Sequence, residues 1–320
     1  MQDSSASPSS SRAPSPRYDA LVGPARALPP LRTAVVHPCS PESVLAAVEA
    51  RDEGLLEPVL VGPEHKIRAA AEEAGVSIAD LRMVPTPHSH AAAETAARMA
   101  AASEVQALMK GSLHSSEMLA AVVARDNGLR TERRISHVYA MDVPDYSKLL
   151  FVTDAAINIA PTLDEKRDIC QNAVDLLHTL GISKPLVAVL AAVETVNTQM
   201  PSTLDAAALT VMAARGQITG AIVDGPLAFD NAVSLDSARI KHIDSPVAGQ
   251  ADILLVPDIE AGNMLAKQLI LFGGAHAAAI VVGARVPIIL TSRADSLQVR
   301  LASVALARLV AERRRHVTAD

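Results

Sequence analysis

Aromatic residues are almost missing from this chain of 320 residues: three Tyr, three Phe and no Trp, 2% of the total. A series of rings for stacking bases is therefore absent, which argues against single-stranded nucleic acid as a partner. The core has to be built from Ala, Val, Leu and Ile, a composition suited to α/β layers. Positive charge is not in excess either. Lys and Arg number 29 against 35 Asp and Glu, for a net charge of −6 and a pI near 5.9, so no electrostatic footprint for nucleic acid is present. Cysteine is reduced to Cys39 and Cys170, which fit neither a metal-ligand spacing nor a disulfide framework and suit a reducing cytoplasm. No apolar run approaches the roughly eighteen residues that cross a bilayer, and the N-terminus carries no apolar signal segment. A soluble, cytoplasmic protein without a membrane partner is expected. No GxGxxG turn follows a strand, which speaks against an NAD-dependent dehydrogenase.

What is present is 49% hydrophobic residues over a length sufficient for two domains. Residues 1–30, crowded with Ser, Pro and Ala, read as a disordered tail. From Arg32 onward strand and helix patterns alternate. Strands are expected at Thr33–Val36, Pro58–Val61, Glu104–Met109, Leu149–Thr153, Val187–Leu190, Ala221–Val223, Ile253–Val256, Ala278–Val282 and Pro287–Leu290. Helices are expected at Pro41–Glu53, Glu64–Ala74, Ala91–Ala102, Asp164–Leu180 (closed by Gly181), Pro201–Arg215 (closed by Gly216) and Leu297–Ala311, the last packing back on the first domain.

Polar residues recur where strands meet loops. In VAGQADILLVPDIEAGNMLAK the strand should stop at Pro257, with Asp258, Glu260, Gly262 and Asn263 in the loop and a helix beginning near Met264. Asp154, Glu194 and the run from Asp224 to Asn231 take the same position, so they are expected to line one cleft. In KGSLHSSEML, a Gly between strand and helix, with Ser115 or Ser116 as cap, makes an anion-holding turn. Residues 125–154 are irregular and carry Arg125, Arg130, Arg133 and Arg134, either a phosphate clamp or a solvated charged face.

The segments MKGSLHSSEML, TDAAINIAPTLDEKRDICQNAV, VAVLAAVETVN, MPSTLDAAAL, VDGPLAFDNAVS, VAGQADILLVPDIEAGNMLAK and ILTSRADS, spread over residues 107–296, resemble the phosphate acetyltransferase and phosphate butyryltransferase family, the butyryltransferase branch most closely. The resemblance implies reversible acyl transfer, acyl-CoA plus phosphate giving acyl phosphate plus CoA, with a short acetyl or butyryl group. It implies no metal and no organic cofactor, coenzyme A being a substrate. It implies the fold of the isocitrate and isopropylmalate dehydrogenases, with two three-layer α/β/α domains about an interdomain cleft. The first domain takes residues 31–140 plus 284–320 and the second takes 141–283, usually assembled as a homodimer.

By the same resemblance Arg293 binds phosphate or acyl phosphate, and Ser292 hydrogen-bonds the thiol sulfur or the reacting carbonyl. The acetyltransferase branch places a thiol-deprotonating carboxylate seven residues after that Ser, where this chain has Val299. Asp295 is the nearest replacement, with Glu260 and Asp258 as rivals. An arginine that precedes the Ala-rich helix in that branch is also absent here, and His88 and His90 stand in that region. Arg134 matches a further phosphate-side arginine. Lys110, Gly111 and His114 fall in the first-domain loop, with Lys110 supporting phosphate. Asp224, Gly225, Pro226, Asp230, Asn231, Glu260, Gly262, Asn263 and Lys267 shape the cleft or the CoA path. Two alternatives remain at this stage: an NAD-dependent decarboxylating dehydrogenase of the same fold, and a non-catalytic binder of CoA or acyl phosphate.

Overall fold

The computed structural model describes residues 16–290 and 295–317. In chain order its elements are α1 (Pro16–Arg26), β1 (Leu31–Val36), α2 (Pro41–Asp52), β2 (Leu56–Gly62), α3 (Glu64–Glu73), β3 (Arg82–Pro85), α4 (Ser89–Ala101), β4 (Ala107–Lys110), α5 (Ser115–Val123) and β5 (Ser136–Asp142). The chain continues with β6 (Leu150–Thr153), α6 (Leu163–Thr179), β7 (Leu186–Leu190), α7 (Pro201–Ala214), β8 (Ile222–Leu227), α8 (Phe229–Val233) and α9 (Leu235–Ile240). It closes with β9 (Ile253–Leu255), α10 (Ile259–Leu271), β10 (His276–Val282), β11 (Ile288–Ile289) and α11 (Leu297–Val317).

The alternation follows from local signals. Thr162 caps α6 in a reciprocal box with Glu165. Gly181 and Gly216 end α6 and α7 at φ of 85° and 76°, a left-handed conformation that costs glycine nothing. Pro201 opens α7, where its missing N–H has no partner to lose.

All the strands belong to one mixed sheet, in the order β3-β2-β1-β4-β11-β10-β5-β6-β9-β7-β8. The first five run parallel to one another, and so do the last four. Between the two sets, β10 and β5 pair antiparallel along their full lengths, from His276↔Asp142 to Val282↔Ser136. Residues 125–154, read from the sequence as irregular, thus contain β5, which lies beside the central strand β10.

Side-chain alternation along the strands sorts the core by face. On one face a continuous apolar layer runs across the sheet beneath α2, α3, α6, α7 and α11, and includes Val35, Val138, Ala140, Ile280 and Val187. On the opposite face the apolar layer is divided. One part lies under α4 and α5, with Val36, Leu108 and Ile288, and the other under α8, α9 and α10, with Met141, Val152 and Leu254.

The expected disordered tail is corrected from residue 16 onward; residues 1–15 lie outside the described residues. In α1, Leu21, Val22 and Ala25 are buried, and the helix packs against α11. Arg17 reaches β5, its Nε 3.2 Å from Asp142 Oδ1. A short apolar face on a Pro-rich background was enough to order this segment, because α11 supplies the surface it needs.

As expected, α11 returns to the N-terminal elements. Its Arg308 is 2% exposed, and the guanidinium donates to Pro29 O at 2.9 Å and Gly54 O at 3.1 Å. Replacing Arg308 by Ala strands two carbonyls and opens a void. Urea unfolding should register a loss of about 2–4 kcal/mol, and a loss below about 0.5 kcal/mol would deny the residue this clamping role.

Candidate active site

The apolar layer of the divided face is interrupted at β5. Where the two apolar layers part, β5 presents His137 and Tyr139, while Val138 and Ala140 face the continuous core. The two rings meet edge to face, centroids 4.4 Å apart. His137 is 2% exposed, and its Nδ1 has no hydrogen-bond partner among the described residues. Burial drives its pKa down to about 4, against the opposing pull of the Asp154 carboxylate. Burial raises the Tyr139 phenol, and the negative charge of Asp295 raises it further. Asp295 therefore acts electrostatically on this floor from the segment that leads into α11. Ser292 and Arg293 lie outside the described residues.

One wall is the turn after β6. The Asp154 carboxylate accepts N–H groups from Ala156 at 3.0 Å, Ile157 at 3.1 Å and Asn158 at 3.2 Å, and it also accepts from the Asn158 amide. Asn158 in turn accepts from Arg134 Nε at 2.7 Å, and Arg134 Nη1 lies 3.1 Å from Glu165. Arg134 is thus held by this turn and by the first turn of α6, with half its side chain exposed. Gly262 lets α10 close on the same turn: a Cβ there would stand 2.7 Å from Asp154 O and 2.8 Å from Val256 Cγ2. Asn263 donates to Ala155 O at 3.2 Å.

The expected helix start near Met264 is corrected here. Asp258 accepts from Ala261 N at 2.9 Å as an N-cap, so α10 begins at Ile259, and Glu260, Gly262 and Asn263 are helical. Glu260 and Lys267 are exposed on it.

A second polar group stands at the ends of β7 and β8. Lys241 Nζ is 2.7 Å from Glu194 and 3.1 Å from Asp230, and Asn231, fully buried, donates to Glu194. The Lys241 hydrogen bond, ahead of the other contributions, holds the Glu194 carboxyl below its ordinary range. The expectation that β8 stops before Asp224 is also corrected. The strand runs through Asp224, Gly225 and Pro226 to Leu227, which the missing N–H of proline permits because β8 is the edge strand. Asp224 accepts from Gly225 N at 2.9 Å, and Gly225 lies against Val189 O, which a Cβ would approach to 2.7 Å. Strand register aligns the ends of β6, β9, β7 and β8 along one edge. The polar groups there form two bonded clusters, Asp154–Asn263 and Glu194–Lys241.

The facing wall comes from the ends of β1 and β4, paired at Val36↔Lys110. Gly111 allows the two strand ends to touch, since a Cβ would fall 2.5 Å from Val36 O. Lys110 Nζ donates to Gly111 O at 3.3 Å, and Ser112 bonds His37 O at 2.8 Å. His114 itself is the N-cap residue of α5, in place of Ser115 or Ser116. His88 caps α4, and His90 Nδ1 sits 2.8 Å from Glu117. Sequence reasoning missed His137, Tyr139, Asn158, Glu165 and Lys241. The period-two pattern of SHVYAMD, polar residues alternating with Val and Ala, was the available signal for the first two.

The profile of the family described as "Phosphate acetyl/butaryl transferase" matches residues 88–308. The chain is 56% identical over 299 residues to a phosphate acetyltransferase of Rhizobium meliloti, covering 93% of this chain and 95% of the relative. It is 46% identical to a probable phosphate butyryltransferase of Bacillus subtilis, covering 89% and 95%. Its fold superposes on a branched-chain phosphotransacylase from Enterococcus faecalis V583 with a TM-score of 0.77 and 31% identity, covering 88% and 99%. These matches define an acyltransferase. The chain belongs to the phosphate acetyl/butyryltransferase family. The expected closeness to the butyryltransferase branch is not what these two identities show.

Among the described residues, no helix is long and apolar enough to cross a membrane, and no group of three or more His, Cys, Asp and Glu is placed to hold a metal ion.

His137 makes the fold sensitive to pH. Its folded pKa is depressed, so between about 6.5 and about 4 the unfolded chain binds the extra proton. The stabilisation is complete above pH 6.5 and is lost as pH falls through 4. In the His137→Gln variant the drop in unfolding free energy between pH 7 and pH 4.5 should shrink by about 1–3 kcal/mol. An identical pH slope in both proteins would show that His137 does not carry it.

Proposed function

We propose that this cleft transfers a short acyl group, acetyl or butyryl, reversibly between CoA and inorganic phosphate, with the reacting atoms above His137 and Tyr139. The observation that carries the reading is the break in the apolar layer over these two residues, reached from the β11 side by the charge of Asp295. The finer architecture belongs to the same proposal: two α/β/α domains of the isocitrate/isopropylmalate dehydrogenase kind, 31–140 with 284–320 and 141–283, closing on the cleft. A homodimer working in the cytoplasm is part of it.

Acyl phosphate and thiolate meet through a tetrahedral oxyanion, so the site must hold the phosphate, generate the thiolate and stabilise developing charge. Arg293 anchors phosphate by a bidentate fork, and Ser292 donates a hydrogen bond at the reacting centre. Arg134, oriented by Asn158 and Glu165, adds a second guanidinium on the phosphate side, and Lys110 supports it from the β4 end. Asp295 is the proposed acceptor of the thiol proton, since Val299 has no group to accept one. The α8 and α10 residues Asp230, Asn231, Glu260, Gly262, Asn263 and Lys267, with Asp224, Gly225 and Pro226 on β8, shape the CoA path. Neither metal nor organic cofactor is part of the proposed reaction; the exchange of a thioester for an acyl phosphate moves no net electrons, so no redox cofactor is called for.

Release of free thiol from acetyl- or butyryl-CoA should require phosphate and survive exhaustive treatment with a chelator. Absence of phosphate-dependent release with every short acyl-CoA would end the enzymatic reading. Arg293→Ala should lower kcat/KM for phosphate by about 10²–10³-fold, and Arg134→Lys should raise KM for phosphate by about tenfold with a smaller effect on kcat. Unchanged phosphate dependence in Arg293→Ala would remove that arginine from its role.

A further inference from the structure

A cavity of about 690 Å³ lies on the other face of the sheet from His137 and Tyr139. It opens between α6, the turn from β10 to β11 and the last turns of α11. Its floor is apolar: Leu176, Val282, Ala284 and Val310 are each 5% exposed or less. Leu176, Val282 and Val310 belong to the continuous core layer, so the cavity is separated from the proposed acyl-transfer cleft by the sheet itself.

Its rim is cationic in a protein of net charge −6. Arg133, Arg285, Arg313 and Arg314 all line it, against Glu132 and Asp175. Asp175 is already engaged, by Arg133 and by the Gln171 amide at 2.9 Å. Arg314 donates to Ala284 O at 2.6 Å. Arg285 and Arg313 are exposed, and neither guanidinium has an ion pair or hydrogen bond among the described residues. Two uncommitted planar forks over an apolar floor of this size match a small molecule with an apolar body and a phosphate group. Phosphate presents three oxygens to two guanidinium groups at once, more than a single carboxylate offers.

We infer that this cavity is a binding site for a small organic phosphate, distinct from the site of acyl transfer. The site needs nothing from the cleft residues, and its occupancy is independent of turnover.

Calorimetric titration of the full chain with phenyl phosphate in phosphate-free buffer tests this. One molecule per chain should bind. The Arg285→Ala/Arg313→Ala variant should bind at least about tenfold more weakly, ~1.4 kcal/mol, with an unchanged thermal midpoint and unchanged acyl-transfer rate. Arg134→Ala should leave the affinity as it is, and phenol should not bind. Arg313→Glu alone, on an exposed turn of α11, provides a second variant and should also weaken binding. No heat up to about 10 mM phenyl phosphate, an affinity unmoved by the paired or single substitutions, or tighter binding of benzoate than of phenyl phosphate would each overturn the assignment.

Discussion

The antiparallel ladder between β10 and β5 is the constraint from which the rest of the architecture follows. Together with the antiparallel pairings β11–β10 and β5–β6 on either side of it, it reverses strand direction at the middle of the sheet, so the carboxyl ends of two oppositely running parallel sets approach the same place. β11 arrives with Ile288 opposite Val281, which pairs His137, and β6 arrives with Thr153 opposite Val138. Loops from both sets therefore converge on two adjacent residues of β5. In an open parallel sheet the ligand gathers where neighbouring loops diverge; here an antiparallel pair creates that divergence.

Much of this was legible because the signals were local. Strand and helix alternation and the Gly181 and Gly216 stops each depend on a few neighbouring residues. The features that escaped depend on distant ones. β5 looked irregular because His137, Tyr139 and Asp142 interrupt its apolar run, and those residues are polar because of what lies across the sheet. β8 looked shorter than it is because Asp-Gly-Pro reads as a turn, and only its place at the sheet edge makes Pro226 acceptable there. The helix at Pro16–Arg26 was hidden by its Ser/Pro-rich surroundings and is explained by α11, nearly 300 residues later. Asp258 was legible as a cap or a loop acid, and the hydrogen bond to Ala261 decides between them.

The candidate site shows a similar division. The polar residues at the ends of β6, β7, β8 and β9 were foreseen as one group, yet they are bonded into two. The Asp154 turn orients Arg134 through Asn158, and the Glu194 cluster is closed by Lys241. The first cluster stands beside His137 and Tyr139 and the second toward the β8 edge. Glycines govern how near the walls stand: Gly111 and Gly262 each occupy a place where a single methyl group would collide with a backbone oxygen.

The continuous apolar layer on one face and the divided layer on the other give the molecule a bound edge and an open edge, like a book. α6 and α11 cross the binding on the closed side, where bending would compress close-packed side chains. On the open side a rotation of a few degrees between the halves changes the width over His137 and Tyr139 while disturbing few apolar contacts. Opening is thereby mechanically cheap on the face of the proposed acyl-transfer site and resisted on the other.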